Sequence, residues 1–207
     1  VRLRTYEGLS FEAMGRVRDR LMEMSEARGQ AGQVGVSSIQ QLVEELPDHP
    51  GVGQVSLWLM AGGRTVFLQD ANSLLLKSED LVRILEALRR VFPDVTRITS
   101  YARSHTLAKT PLEGLQAVAE AGLNRIHVGL ESGSDEVLRR VKKGCTKEDH
   151  VVAGRRVIEA GMELSEYVMP GLGGAELWKD HADETADALN QIDPHFIRLR
   201  TLGLRQG

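Results

Sequence analysis

The sequence predicts an α/β fold built on a parallel sheet, and three observations support this prediction. Short apolar runs begin near residues 66, 97, 125, 163 and 196, and stretches with helical periodicity separate them. Intervals of roughly 30 residues suit right-handed strand–helix–strand crossovers. The segments 120–123 and 159–162 both lead from a helix end into a strand with the letters Glu-Ala-Gly, which favours repeated units.

The strands follow the apolar runs, and the helices follow the periodic stretches between them. The strands are predicted at 66–69, 97–101, 125–130, 164–169 and 196–202, and the helices at 78–91, 110–122, 134–141, 146–160 and 177–191. Thr110 with Glu113, and Thr146 with Asp149, each have the spacing of a capping box. Gly122 is a natural left-handed helix end.

The first 60 residues follow a different pattern. They predict helices at 9–24 and 38–46, a glycine-rich link at 29–35, and an apolar segment at 55–60 that is either strand or helix. No strand precedes the first helix, so the fold is predicted to be open at its N-terminal side. We expect one domain over 1–207, with a helical N-terminal part (1–60) that carries an inserted segment, and βα repeats over 61–202.

Composition excludes several classes of protein. The formal net charge of −3 gives no nucleic-acid signature, and no apolar run has the length of a membrane span. Cys145 is the only cysteine, which excludes an internal disulfide and a thiolate-only metal site. The start at Val1 lacks both a methionine and the pattern of a signal peptide. We therefore predict a cytoplasmic protein whose natural N-terminus lies upstream.

The candidate site lies where the predicted strands end, because parallel strands point their carboxyl ends at the ligand. Polar or glycine-rich residues follow each strand: Asp70 and Asn72, Ser100 and Tyr101, Glu131 and Ser132, 170–174, and 198–201. Such a ring suits a cofactor with hydroxyls, a carboxylate and an ammonium. The alternative is that polar residues simply accumulate at strand ends.

The segment 129–134 is the sharpest element of this ring. The Glu131 carboxylate can accept from a ribose diol or hold an ammonium, and the N–H groups after it can receive a carboxylate. The same segment is also a capped turn, with Ser134 at the helix start, and the two interpretations use different atoms. Among the histidines, none of which has a metal-ligand spacing, His127 is interpreted as packed and His181 as solvated. Cys145 is interpreted as a residue without a functional role, in preference to a reactive thiol.

Three stretches, 66–74, 122–138 and 169–174, resemble the radical S-adenosylmethionine (SAM) superfamily. The likeness is to the branch with the oxygen-independent coproporphyrinogen oxidase, the Elongator catalytic subunit and the methylthiotransferases, and it covers residues 60–202. Val141-Lys142-Lys143-Gly144 strengthens it. The resemblance implies a partial TIM-type (β/α)6 barrel of parallel strands.

The resemblance also implies that SAM lies across the strand ends. Asp70 lies where relatives position the methionine amino group, and Glu131 lies where they contact the methionine or the ribose. Lys143 lies where relatives have a basic residue near the cofactor carboxylate. The adenine lies beside the strand around Tyr167 and the turn that follows. The implied cofactor-binding residues are Asp70, Asn72, Ser100, Tyr101, Glu131, Ser132, Lys143, Tyr167, Met169, Gly171, Leu172 and Arg200.

One family motif is absent from the sequence. Relatives carry C-x-x-x-C-x-x-C after their first strand, and its thiolates hold a four-iron four-sulfur cluster; Cys145 is in the wrong place to substitute. We expect the first strand and the cluster loop to be missing from this chain. The full-length parent would cleave SAM reductively, with a reductant such as flavodoxin or ferredoxin, and start radical chemistry on an unassigned substrate. The chain alone is expected to be inactive, with no metal ligand, no firmly bound cofactor and no catalytic residue assigned.

Two alternatives remain open at this point. The first is a natural cluster-free remnant that acts as a binding or interaction domain. The second is an unrelated α/β barrel, such as a non-radical lyase, which uses Glu131 and Lys143 in acid–base or aldol-type chemistry.

Overall fold

The computed structural model describes residues 11–27, 40–41, 44–45, 52–69 and 72–201. The strands are β1 (Thr65–Leu68), β2 (Arg97–Ala102), β3 (Leu123–Glu131), β4 (Glu163–Val168) and β5 (Phe196–Leu199). The helices are α1 (Phe11–Ala27), α2 (Val52–Met60), α3 (Ser78–Val91), α4 (Ser104–Lys109), α5 (Leu112–Glu120), α6 (Asp135–Arg140), α7 (Lys147–Glu159) and α8 (Gly174–Ile192). In the described part of the chain, no helix is long and apolar enough to cross a membrane.

The five strands form one sheet in the order β1-β2-β3-β4-β5, and the pairs from β2 to β5 are parallel. This confirms the predicted α/β class with a parallel sheet. The register places Tyr101 opposite His127, His127 opposite Ser165, and Ser165 opposite Phe196. Side chains at matching positions therefore form rows across the sheet. All four residues of β5 are exposed, and β5 is the last strand of the described sheet.

The chain divides into two compact units, residues 1–66 with 83–96, and residues 67–82 with 97–207. In the first unit α1 packs against α2, and the Trp58 ring meets the Phe92 ring edge-on at 4.9 Å. The prediction of a single domain remains a prediction.

In the second unit, one face of the sheet is apolar and lies under helices. On β3 this face carries Ile126, Val128 and Leu130, which are at most 1% exposed. The α4 and α7 helices pack together, and α7 also contacts α8 and β4. The opposite face carries the intervening residues of each strand, because successive side chains of a strand alternate in direction. The sheet thus has one face built for the core and one that is free to carry polar groups.

The helix boundaries confirm some local predictions and correct others. The segment 55–60 is helical, as part of α2, and residues 40–41 and 44–45 of the predicted helix 38–46 are helical. The capping box of Thr146 with Asp149 is present. The capping box predicted at Thr110 is wrong, because its hydroxyl donates to the Thr106 carbonyl at the end of α4 and Pro111 precedes α5 without a side-chain cap.

The loop after β3 packs against α8 through Gly133. The Gly133 amide donates to Thr185 Oγ1 over 2.9 Å. A Cβ at position 133 would collide with the Glu184 carbonyl and lie 2.7 Å from the Thr185 Cα. Backbone atoms cannot move aside as a flexible side chain does, so only glycine fits this close approach.

We expect Gly133→Ala to lower the free energy of unfolding by about 2 kcal/mol or more, since overpacking against backbone forces the loop and α8 apart. Denaturant unfolding followed by circular dichroism measures this. The matched control is Gly53→Ala in α2, where the added Cβ has no neighbour within 4 Å and should stabilise the helix by about 0.5–1 kcal/mol. Equal stability of the Gly133 variant and the parent would contradict the packing described.

Candidate functional site

Glu131 ends β3 in an unusual backbone conformation. Its φ is 63°, in the left-handed region that residues with a side chain rarely adopt. The pairing of β3 with β4 shifts register between Gly129 and Glu131, and the Glu131 carbonyl accepts from the Met169 amide over 3.1 Å. Backbone strain of this kind is concentrated at functional sites, so Glu131 becomes the first candidate.

This backbone reversal brings the Glu131 carboxylate back over Gly129 and beside Lys143. Glu131 Oε1 lies 3.5 Å from Lys143 Nζ, and both side chains are about a quarter exposed. A Cβ at position 129 would lie 2.5 Å from Glu131 Oε1 and 3.0 Å from Lys143 Nζ. Gly129 therefore leaves room for the ion pair. Glu131 Oε2 is buried and has no hydrogen-bond partner among the described residues, so it is an acceptor available to a ligand.

A row of aromatic rings lies on the polar face of the sheet. The Tyr101 ring lies 4.9 Å from Phe67, 5.6 Å from His127 and 6.4 Å from Tyr167, measured between centroids. The Arg200 guanidinium lies 4.6 Å above the Tyr167 ring. Burial, with the nearby arginines, lowers the pKa of His127, and burial with a hydrogen bond to Tyr167 raises the pKa of Tyr101. Both groups are therefore neutral near pH 7.

Glu166 is a site residue that sequence reasoning missed. It lies two residues from both Leu164 and Val168 along β4, so it shares their face of the strand. It is fully buried on this apolar side of the sheet. Neither carboxylate oxygen makes a hydrogen bond of good geometry with a described residue, although the nearby Leu130 backbone favours the charged form weakly. Burial raises the pKa of Glu166 well above its ordinary value, although the Lys143 charge opposes the rise. The sequence did contain a signal for Glu166, since it is a glutamate at a β4 position where the alternation of side chains predicts an apolar residue.

The half-buried Cys145 is linked to two buried polar residues, His150 and Ser104. His150 Nδ1 lies 2.5 Å from Ser104 Oγ, and His150 Nε2 lies 3.3 Å from Cys145 Sγ. Burial lowers the pKa of His150 to about 4 and raises the pKa of Cys145 to about 11. All three groups are therefore neutral near pH 7, and the arrangement connects α4 to the start of α7. No group of three or more His, Cys, Asp or Glu residues in the described chain has the geometry to hold a metal ion.

The structure brings together only some of the residues predicted to bind the cofactor at the strand ends. Asp70 lies outside the described residues. Asn72 holds the connection after β2, since its side chain donates to Thr106 Oγ1 and accepts from the Arg103 amide. Ser100 is buried and donates to Ser73 Oγ over 2.7 Å. Because Ser100 and Tyr101 are adjacent in β2, they lie on opposite faces of the sheet.

The loop after Glu131 is occupied by its own hydrogen bonds. Ser132 is fully buried, and its hydroxyl accepts from the Ser134 amide and contacts His181 Nδ1 at 2.8 Å. Since the Gly133 amide donates to Thr185, the expectation that these N–H groups receive a ligand carboxylate is wrong. The interpretation of His181 as solvated is also wrong, because it is 6% exposed and packs against this loop. The Ser134 cap is confirmed, with its Oγ accepting from the Val137 amide.

The remaining predicted residues follow β4 and β5. Met169 is joined to Glu131 through its amide, and its carbonyl accepts from the Leu172 amide. Gly171 is exposed with a φ of 88°, which a turn at this point requires. The Arg200 amide donates to the Val168 carbonyl over 2.8 Å. The structure therefore gathers Glu131, Lys143 and Met169 at one edge of the sheet, and Tyr167 with Arg200 beside it.

A parallel α/β sheet with its candidate site at the strand carboxyl ends places the protein in the α/β class that comprises barrels and open doubly wound sheets. Within that class, the sequence profile of the Radical SAM superfamily matches residues 24–185, and the chain belongs to this superfamily. The resemblance seen in the sequence and the partial TIM-type fold class are thereby confirmed. Membership also excludes the alternative of an unrelated barrel.

Two proteins are similar to this chain in sequence, and a third is similar in fold. The heme chaperone HemW of Bacillus subtilis is 26% identical over 129 residues, which are 61% of this chain and 34% of that protein. The 4'-phospho-dehydrooxetanocin synthase of Priestia megaterium is 35% identical over 81 residues, 36% of this chain and 11% of that protein. The structure of coproporphyrinogen III oxidase from Escherichia coli matches with a TM-score of 0.57 and 16% identity, and covers 92% of this chain and 38% of that one. The chain thus spans between 11% and 38% of these proteins.

We expect Cys145 to react slowly with a thiol reagent in the folded protein. Alkylation needs the thiolate, and a pKa of about 11 leaves roughly 100-fold less thiolate near pH 8 than an ordinary cysteine has. Iodoacetamide labelling of the native and the denatured chain, followed by mass spectrometry, measures the ratio. The native rate should rise about tenfold per pH unit until the pKa is reached. Equally fast labelling of both forms would contradict the raised pKa of this half-buried thiol.

Proposed function

We propose that this chain forms the SAM-binding part of a radical SAM enzyme, whose full-length form cleaves SAM reductively at an iron–sulfur cluster to start radical chemistry. The observation that carries the proposal is the Glu131–Lys143 pair at the strand ends. It lies in a chain that belongs to the superfamily, and it includes a buried carboxylate oxygen with no partner in the described residues.

The chemistry of this pair fits the polar groups of SAM. Glu131 Oε2 can accept a hydrogen bond from the methionine ammonium or from a ribose hydroxyl. Lys143 Nζ, 3.5 Å from Glu131 Oε1, can donate to the methionine carboxylate. Opposite charges placed side by side match a zwitterionic ligand better than either charge alone.

The other proposed cofactor contacts extend from this pair. The turn after β4, with Met169, Gly171 and Leu172, would flank the adenine, and Tyr167 and Arg200 lie beside it. The residues after β1, Asp70 and Asn72, stay as proposed contacts to the methionine end, as do Ser100, Tyr101 and Ser132 around the site. The hydrogen bonds of Asn72, Ser100 and Ser132 within the protein favour a positioning role for these three.

The residues present do not fit the cluster. Three thiolates are needed to hold it, and the sequence has one cysteine, whose neutral thiol contacts His150. We therefore propose that the cluster thiolates come from residues that precede Val1 in the full-length protein, and that this chain alone is inactive. A cytoplasmic reductant such as flavodoxin or ferredoxin would serve that protein, and a reducing compartment suits both the cluster and a free thiol.

We expect Glu131→Gln to weaken SAM binding about tenfold, because the negative charge that faces the methionine ammonium is lost although an amide oxygen remains. Gly129→Ala should weaken binding similarly, by displacing the carboxylate and the lysine, while the free energy of unfolding stays within about 1 kcal/mol of the parent because only flexible side-chain ends must move. Equilibrium dialysis with labelled SAM measures the affinity, and chemical denaturation measures the stability. Glu159→Gln, an exposed site on α7, is the control and should bind as the parent does. Unchanged binding by Glu131→Gln would remove Glu131 from the site.

The gene should encode three cysteines with the spacing C-x-x-x-C-x-x-C shortly before Val1. Sequencing that region tests the fragment hypothesis directly. The full-length protein, reconstituted anaerobically with iron and sulfide, should then release 5′-deoxyadenosine from SAM on addition of dithionite. A start codon at this point without upstream cysteines would instead favour the cluster-free binding domain.

A further inference from the structure

We propose that a groove between the start of α3 and the α4 helix binds an acidic amphipathic helix of a second protein. One wall of the groove is the segment 74–79, and the other is formed by α4 and the residues that join it to α5. The groove has a volume of about 570 Å³, within the range of ligand-binding clefts. It lies inside the second compact unit, and its described lining includes none of the residues proposed to contact SAM.

Two adjacent leucines on the first wall are exposed, although the leucine before them is buried. Leu74 is 4% exposed, whereas Leu75 and Leu76 are 76% and 47% exposed, and Pro111 on the facing wall is also exposed. Single apolar side chains on a surface are ordinary, but neighbouring ones at the mouth of a groove mark an interaction site. A ligand confined to the groove would leave much of Leu75 in water. The occupant must therefore be broad enough to cover the rim, which favours a protein over a small molecule.

Contacts within the protein hold the two walls in place before a partner binds. The Asn72 side chain, just before the first wall, donates to Thr106 Oγ1 on the second wall over 2.8 Å. The Thr110 hydroxyl donates to the Thr106 carbonyl over 2.9 Å. A Cβ at position 114 of α5 would lie 2.5 Å from Ser78 Oγ, so α5 approaches the start of α3 closely. A groove that is already formed loses little conformational entropy when it is filled.

The charges of the groove favour an acidic partner. Lys77 on one wall and Lys109 on the other are exposed, and neither forms an ion pair with a described residue. Glu79 is the one acidic side chain among the described residues of the lining, so two positive charges face one negative charge. Complementary charge selects the partner and its orientation. Apolar side chains between two cations match a helix with leucine or aromatic residues on one face and aspartate or glutamate beside them.

The experiment selects binders to the 207-residue chain from random peptides displayed on phage, each of about 16 residues, which is long enough for four helical turns. Counter-selection against the double variant Leu75→Asp with Lys109→Glu removes peptides that bind elsewhere. We expect the enriched peptides to carry apolar residues at helical spacing and more acidic than basic residues. The inference is overturned if no sequence is enriched, or if the enriched sequences are basic or lack the helical pattern.

A fluorescein-labelled synthetic copy of the most enriched peptide then gives affinities by fluorescence anisotropy. Leu75→Asp should weaken binding at least tenfold, because a charge replaces an apolar contact. Lys77→Glu and Lys109→Glu should each weaken it about tenfold and reduce its dependence on salt. The matched controls are Leu57→Asp, at a 60% exposed position of α2, and Lys179→Glu, at an exposed position of α8; both should bind as the parent does. Circular dichroism confirms that every variant folds, and equal binding by groove and control variants would contradict the proposal.

Two further measurements distinguish a second protein from other occupants of the groove. The full-length protein should bind the peptide as tightly as the 207-residue chain, whereas a loss of tenfold or more would assign the groove to another part of the same protein and overturn the inference. Sedimentation with vesicles of phosphatidylcholine and phosphatidylserine should leave the chain in the supernatant, and pelleting that Leu75→Asp abolishes would assign the leucines to a membrane surface instead. Saturating SAM should leave peptide binding unchanged, so a failure of the proposed cofactor site would not affect this result.

Discussion

The reversal of the backbone at Glu131 is the constraint on which the candidate site depends. A left-handed glutamate costs about 1 kcal/mol or more relative to extended backbone, and several neighbouring features offset that cost. The Met169 amide bonds to its carbonyl, the absence of a side chain at Gly129 makes room for its carboxylate, and Lys143 lies beside that carboxylate. The same reversal sends the chain into the loop that packs on α8. The backbone conformation of Glu131 thus determines both where its carboxylate points and where the following loop meets α8.

The two faces of the sheet have opposite electrostatic characters. Burial penalises the charged forms of Glu166 and His150 under the helices, and it also penalises the thiolate of the half-buried Cys145. On the other face, charged groups keep partial exposure and either form ion pairs or flank aromatic rings. Lys143 acts on both sides, since its charge opposes the shift at Glu166 and at Cys145. A ligand that binds Lys143 therefore meets a site in which burial favours the neutral form of Glu166, which reduces repulsion toward an anion.

The parts of the fold that depend on local pattern were predictable from sequence. The five strand positions, the Thr146 cap and the placement of Glu131 at a strand end all follow from residues close together in the chain. The parts that depend on distant contacts were not. At a predicted strand end, Ser100 and Tyr101 are equally good candidates, and only the strand register shows which of them faces which side of the sheet. Similarly, the sequence around His181 predicts a solvated side chain, because the packing of α8 against the loop at Gly133 is a contact between distant residues. The six-residue α4 is too short to show helical periodicity.

The exposed last strand of the described sheet has a practical consequence for the isolated polypeptide. Ile197 and Leu199 are 52% and 70% exposed, and the outer side of β5 presents backbone donors and acceptors with no neighbouring strand in the described sheet. Such an edge is a template for pairing with a second molecule. Wherever no further strand of the protein covers this edge, a second molecule can pair with it, and light scattering at the working concentration then gives the particle mass that titration stoichiometries require.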